Sequence, residues 1–401
     1  MSRLDLLLVD PPRVYWGFGG GLGFFSPPVG LATLAGFLER NGVQVDVLDC
    51  NAREIGWDML AAEVRSRDPR CVGVSSSMTC YVSDAFRCLE IVKQANPDIC
   101  TIGGGLQFTL APGESLEKCE SLDVIVRGDG EQTSLELLAE HPGGVAEHPG
   151  GVAEHPGGVA EHPGGVAEHP GGVAEHPGGV DELRRTPSRL EKVRGLSFRR
   201  GGEIVHNPDR QPVMDLDTLP LPAWHMLPMA DYRLPVVPPE WGNYAIVVTT
   251  RGCPYDCSFC SPRAGQAPYR AMTGERVLEM LDDLYYQHDT RVFWFSDLSF
   301  NVNSERTEQI LDGIIERGWK VRIAFDGTRT DLIIRDRHLL PKMKKAGVFL
   351  ICLGVESYSE QELVDYRKGS SQAHAEEAIA LIKQHRINTC LLYTSDAADD
   401  N

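Results

Sequence analysis

Apolar runs and helical spacings alternate along the first third of the chain. LDLLLV (4–9) predicts a buried strand, and Gly30 to Arg40 follows with Leu31, Leu34, Ala35 and Leu38 at helical spacing before an Asn41-Gly42 stop. Further strands are expected at 43–49, 71–77, 99–105 and 123–130, with amphipathic stretches such as Asp84 to Gln94 between them. Such alternation predicts an α/β domain built on a doubly wound parallel sheet. A second βα series begins later, with strands at 244–250, 291–297, 321–326 and 348–357 and helices at 275–286, 305–317 and 338–345. Four βα units in so short a stretch predict a partial (β/α) barrel, whose chemistry sits at the carboxyl ends of its strands.

Between the two series the pattern breaks. From Glu140 to Val180 the unit Glu-His-Pro-Gly-Gly-Val-Ala recurs every seven residues. A coiled coil is excluded: each unit holds a proline, costing about 3 kcal/mol in a helix, and two glycines at about 1 kcal/mol each, with no apolar pair to offset them. A flexible or turn-rich segment is expected. Its regular histidines suit a metal, but identical copies fit expansion or misassembly of a short DNA repeat better. Eight prolines between Asn207 and Gly242 then predict an extended connector draped over the surface. The expected organisation is a first domain at 1–138, the low-complexity repeat at 139–180, the connector at 181–243, the barrel at 244–389 and a tail at 390–401. That tail, CLLYTSDAADDN, resembles translated sequencing adapter; it is expected to be foreign, with the natural C-terminus missing.

Composition narrows the function. A formal charge of −18, about −10 once five repeat copies and the tail aspartates are discounted, argues against a nucleic-acid partner. Asp5 and Asp10 bracket only four uninterrupted apolar residues, too few for a signal peptide or membrane span, so a cytoplasmic location is expected. Eleven cysteines spread over 401 residues read as buried thiols in a reducing compartment.

One cysteine group is different. RGCPYDCSFC ends the first barrel strand and places Cys253, Cys257 and Cys260 within eight residues. Three thiolates can hold three irons of a 4Fe-4S cluster and leave the fourth iron without a protein ligand, open to the amine and carboxylate of S-adenosylmethionine. One electron then splits the sulfonium into methionine and a 5'-deoxyadenosyl radical. A structural zinc site wants a fourth ligand, for which only the remote His225 or Cys352 offers itself.

This spacing resembles the radical S-adenosylmethionine (radical SAM) superfamily over about residues 244–389. The resemblance implies Phe259 against the adenine, Asp297 near the methionine amine, and Glu356 and Ser357 at the ribose or methionyl part. A loop plug for Phe259 and a satisfied salt bridge for Glu356 are the plain alternatives. Arg251 and Arg329 are weaker candidates for carboxylate binding, with surface or structural roles the alternative. The strand ends Asp10-Pro11-Pro12, Ser75-Ser76-Ser77, Gly103-Gly104-Gly105 and Gly128-Asp129-Gly130-Glu131 resemble the cobalamin-binding domain that precedes many such enzymes. Tight βα turns also demand glycine there. The resemblance implies cobalamin, with Ser75, Ser76, Gly103 and Gly104 lining its nucleotide-tail pocket. The Asp-x-His-x-x-Gly motif that supplies a lower cobalt ligand elsewhere is absent, and no histidine precedes His141.

The expected activity is radical cleavage of S-adenosylmethionine, with cobalamin-dependent methyl transfer to a small-molecule substrate. The expected electron donor is external, such as a flavodoxin or ferredoxin. Ring formation or rearrangement without methyl transfer is the second enzymatic reading. A non-catalytic iron-sulfur protein is the third, disfavoured because a transfer cluster normally takes four protein ligands.

Overall fold

The computed structural model describes residues 3–13, 26–77, 79–140, 187–232, 234, 237–260 and 267–393. The repeat beyond Glu140 and most of the loop after the first strand lie outside them.

Five strands build the first parallel sheet: β1 (Leu6–Asp10), β2 (Val45–Asp49), β3 (Cys71–Ser75), β4 (Cys100–Gly104) and β5 (Val124–Val126). Their order is 2-1-3-4-5, so the chain reverses direction across the sheet between β1 and β3, where α/β folds open a ligand crevice. Every residue of β1 is buried, because helices cover both faces. Leu6 and Leu8 join the core under helices 29–40 and 131–140, whereas Leu7 and Val9 join the opposite core under helices 57–67 and 82–95.

Two features depart from the connector expected at 181–243. An antiparallel hairpin, β6 (Leu196–Arg200) and β7 (Glu203–His206), extends the first sheet beyond β5. The proline-rich stretch is also not draped over the surface. Leu216, Leu219, Trp224, Leu227 and Tyr232 are buried in the same core that runs on into the second domain. Proline forbids long regular elements but not burial, and each large apolar side chain taken from water contributes roughly 1.5–3 kcal/mol.

In the second domain β8 (Asn243–Val247) leads into a two-stranded clip, β9 (Thr250–Arg251) and β10 (Arg270–Ala271). Then follow β11 (Thr290–Phe295), β12 (Arg322–Arg329), β13 (Val348–Glu356) and β14 (Asn388–Tyr393). Together with β8 these four strands form a five-stranded parallel sheet in chain order, with helices such as 274–287, 304–316 and 372–384 between them. The result is the wall of a partial barrel. Cys390 to Tyr393, assigned above to the tail, form most of β14 and pair with β13.

Candidate functional site

The crevice between β1 and β3 opens into a cavity of about 260 Å³. Leu6, Leu8, Leu31, Leu34, Ile102 and Val126 make its apolar lining; Ser75, Glu131 and Ser134 add polar groups. The fold itself requires glycine at the end of β4. Gly105 sits at φ +90°, and a Cβ on it would meet the Ser75 hydroxyl at 2.6 Å and the Ser76 carbonyl oxygen at 2.8 Å. Of the four residues singled out for this pocket, Ser75 and Gly104 line it. Gly103 faces Phe108 and Leu122 on the other side of the sheet, and Ser76 is buried, its amide donating to the Gly104 carbonyl.

The cavity also receives Arg251, from the clip that leads into the cysteine loop. Its guanidinium bridges Glu131 Oε1 at 2.5 Å and Asp129 Oδ1 at 3.2 Å. Burial opposes the charge, but the two carboxylates outweigh it and hold Arg251 protonated above its ordinary range. Arg270, paired with Arg251 across the clip, grips the other Asp129 oxygen, which also accepts from the Val213 amide at 2.8 Å. Arg251 is thus an interdomain clamp, and the first cysteine follows it by two residues.

Cys257 is buried, whereas Cys253 and Cys260 are partly exposed. Among the described residues, no three His, Cys, Asp or Glu side chains are gathered into a metal-ligand group, although the three thiols share one loop. That loop is anchored from outside. The Ser258 amide donates to the Tyr366 carbonyl at 2.8 Å, Phe259 packs edge-on against Tyr366 with centroids 5.4 Å apart, and Arg367 pairs with Asp256. Phe259 is 38% exposed, so it does not plug the core. Arg329 is buried rather than on the surface. It donates to Cys257 Sγ at 3.9 Å, lies 3.9 Å over the Tyr255 ring, and is held by Asp331 and the Lys368 carbonyl.

The remaining candidates have prior commitments. Asp297 Oδ1 accepts from the amides of Thr249 and Thr250 at 2.6 and 2.8 Å, and Oδ2 accepts from the Thr249 hydroxyl at 2.5 Å. It fastens the turn out of β8 through three accepted hydrogen bonds, with a lone pair of Oδ2 left over. Burial raises its pKa against these bonds and the nearby Arg306. Ser357 donates to Glu362 and accepts from the Ser359 amide, which fixes the turn after β13. Glu356, at φ +69°, pairs with buried Lys368 at 2.7 Å, the salt bridge weighed as its plain alternative. Lys368 Nζ lies 5.9 Å from the centroid of the Phe259 ring, so this pair borders the cysteine loop.

Sequence reading named Glu131 only as part of a strand end and missed Arg270, Arg306 and Lys368. Arg306 Nη1 and the Tyr269 hydroxyl are buried without a partner among the described residues, and both lie in the electrostatic neighbourhood of Asp297. The Gly128-Asp129-Gly130-Glu131 run was the one local signal; the others carry no motif.

Comparisons with known proteins bear on both halves. Residues 16–138 match the B12 binding domain family, and residues 247–395 match the Radical SAM superfamily. The chain carries a B12-binding domain followed by a radical SAM domain and is homologous to cobalamin-dependent radical SAM methyltransferases. It is 27% identical over 387 residues to an uncharacterized methyltransferase of Pyrococcus horikoshii, covering 96% of this chain and 72% of that one. It is 28% identical over 365 residues to the anaerobic magnesium-protoporphyrin IX monomethyl ester cyclase of Rubrivivax gelatinosus, covering 90% and 58%. In fold it is similar to the cobalamin-dependent S-adenosylmethionine radical enzyme OxsB with aqua-cobalamin and S-adenosylmethionine bound. That likeness has a TM-score of 0.71 at 18% identity and covers 97% of this chain and 49% of that one. The chain therefore spans about half the length of OxsB and under two thirds of the cyclase. A radical SAM domain implies a 4Fe-4S cluster and S-adenosylmethionine, and a B12-binding domain implies cobalamin. No helix among the described residues is long and apolar enough to cross a membrane.

Proposed function

We propose that this chain is the catalytic part of a cobalamin-dependent radical SAM methyltransferase acting on a small molecule. The observation that carries the reading is Arg251, which stands in the wall of the first-domain cavity two residues before the cysteine loop. The donors fit the implied groups. Three soft thiols on one loop suit iron-sulfur ligation by Cys253, Cys257 and Cys260. The cavity is too small for a corrin ring but has room for a flat base and a sugar. When bound, the cluster supplies the electron that cleaves S-adenosylmethionine, and the corrinoid carries the methyl group.

The chain's own residues orient these groups. Arg329 donates toward Cys257 and stacks on Tyr255, so the loop is held from below. Phe259 offers its exposed ring to an adenine, with Tyr366 fixing its edge. The Glu356–Lys368 pair places a carboxylate and an ammonium beside that ring, matched to the amino and carboxylate ends of an amino acid. Ser75 and Gly104 border the nucleotide tail, Ser76, Asp297 and Ser357 shape turns around the two sites, and Gly103 packs β4 against Phe108 behind the pocket. An external flavodoxin or ferredoxin supplies the electron, and the cytoplasm is the compartment such chemistry suits.

A second reading is cyclisation or rearrangement without methyl transfer, favoured by the cyclase relative that aligns with 90% of the chain. Anaerobic reconstitution followed by assay for 5'-deoxyadenosine, wild type beside Cys257→Ala, tests the radical chemistry. Nucleoside from wild type alone is expected; equal amounts from both would refute it. Methyl-labelled S-adenosylmethionine then separates the readings, since only a methyltransferase passes label to product.

A further inference from the structure

Two acidic residues stand at the cavity mouth, and they differ. Asp129 is fully engaged, one oxygen with Arg251 and the other with Arg270 and the Val213 amide. Glu131 is 4% exposed and gives Oε1 to Arg251, but its Oε2 is buried and has no partner among the described residues. A buried carboxylate oxygen without a donor is unfavourable, and no donor among the described residues offsets it.

A carboxylate only accepts hydrogen bonds, so its complement must be a donor. A phosphate oxygen is excluded on that ground, and a sugar hydroxyl fits. Leu6, Leu31, Leu34 and Gly130 line the same cavity, a surface for a flat ring next to the sugar, beside the polar Ser134 and Arg251. The same logic places an acidic residue on a ribose hydroxyl in dinucleotide-binding α/β folds. The reach of the cavity, about 260 Å³, admits one ring and one sugar.

We infer that Glu131 is the specificity residue of this cavity, accepting a hydrogen bond from a ribose hydroxyl of a nucleotide tail. The inference rests on the corrinoid reading above. It assigns recognition to the tail rather than to the corrin ring. Because the other Glu131 oxygen holds Arg251, the carboxylate that greets the tail also fixes the strand entering the cysteine loop.

The test is equilibrium binding of aquacobalamin and of cobinamide, which has the same corrin ring without base and sugar, to the full chain. Wild type, Glu131→Ala and Glu131→Gln are compared. Glu131→Ala is expected to weaken cobalamin about tenfold, the loss of one charge-assisted bond, and to leave cobinamide unchanged. Glu131→Gln keeps the shape and one acceptor oxygen; it is expected to weaken cobalamin less, again without touching cobinamide, and it carries the test if the alanine variant does not fold. Equal weakening of both corrinoids, or of neither, would overturn the inference while leaving the corrinoid reading in place. A wild-type chain that binds neither overturns both.

Discussion

The guanidinium of Arg329 lies 3.9 Å from the sulfur of Cys257, although 72 residues separate them. Tyr255 beneath it, Asp331 beside it and the Lys368 carbonyl leave that cation little freedom. A fixed positive donor at a ligand sulfur stabilises the more negative, reduced state of an iron-sulfur cluster. Arg329→Gln is therefore expected to load a cluster that is harder to reduce. A redox titration followed by electron paramagnetic resonance reads the midpoint potential, and an unchanged or higher value would contradict this.

Lys368 and Glu356 form a buried pair at the end of β13, with side chains 6% and 12% exposed. Removing one member leaves the other charge without its partner in a dry site, which costs about 3–5 kcal/mol. Lys368→Met should lower stability by that amount in urea unfolding. Glu356→Gln combined with Lys368→Met should recover most of it. A double variant no better than the single one would show that the unpaired Glu356 carboxylate is not the source of the loss.

Acid and base bear differently on the first domain. Asp10 accepts from Asn51 at 3.0 Å and pairs with Arg13, while Asp49 accepts from the Tyr232 hydroxyl at 2.8 Å. Burial, opposed by Arg13 and aided by Asp49, pushes the Asp10 carboxyl up to about 7, and burial raises Asp49 as well. A folded-state pKa above the unfolded value means that the native state holds the extra proton. The associated stability is present below about pH 4 and is lost as pH rises through about 7. Asp10→Asn cannot ionise, so relative to wild type it should gain stability between pH 4 and pH 8, on the order of 2 kcal/mol. Thermal melts across that range check the sign; a constant difference would rule it out.

Trp224 lies 1% exposed in the connector, between the two domains. Trp224→Ala should cost about 3–5 kcal/mol, the penalty for emptying a large core site. A surface connector would lose almost nothing. Chemical denaturation of the full chain distinguishes the two.

The cysteine loop, the glycine-rich strand ends and the two βα series were legible in the sequence because each is written in contiguous residues. A strand followed by a helix declares itself through periods of two and 3.6, and a three-thiolate loop through its spacing. The βα order also announced the parallel sheet and the partial barrel. Tertiary structure alone decided the rest. Glu131 meets Arg251 across 120 residues, and only packing of the domains puts them together. Asp297 read as a residue near the methionine amine, and only the fold shows that both its oxygens also accept from Thr249 at the turn out of β8. The connector read as surface because proline forbids regular elements, while its leucines and Trp224 were drawn into a core that no local pattern describes. Local periodicity fixes what an element is; burial and the partners of its polar atoms depend on what lands against it.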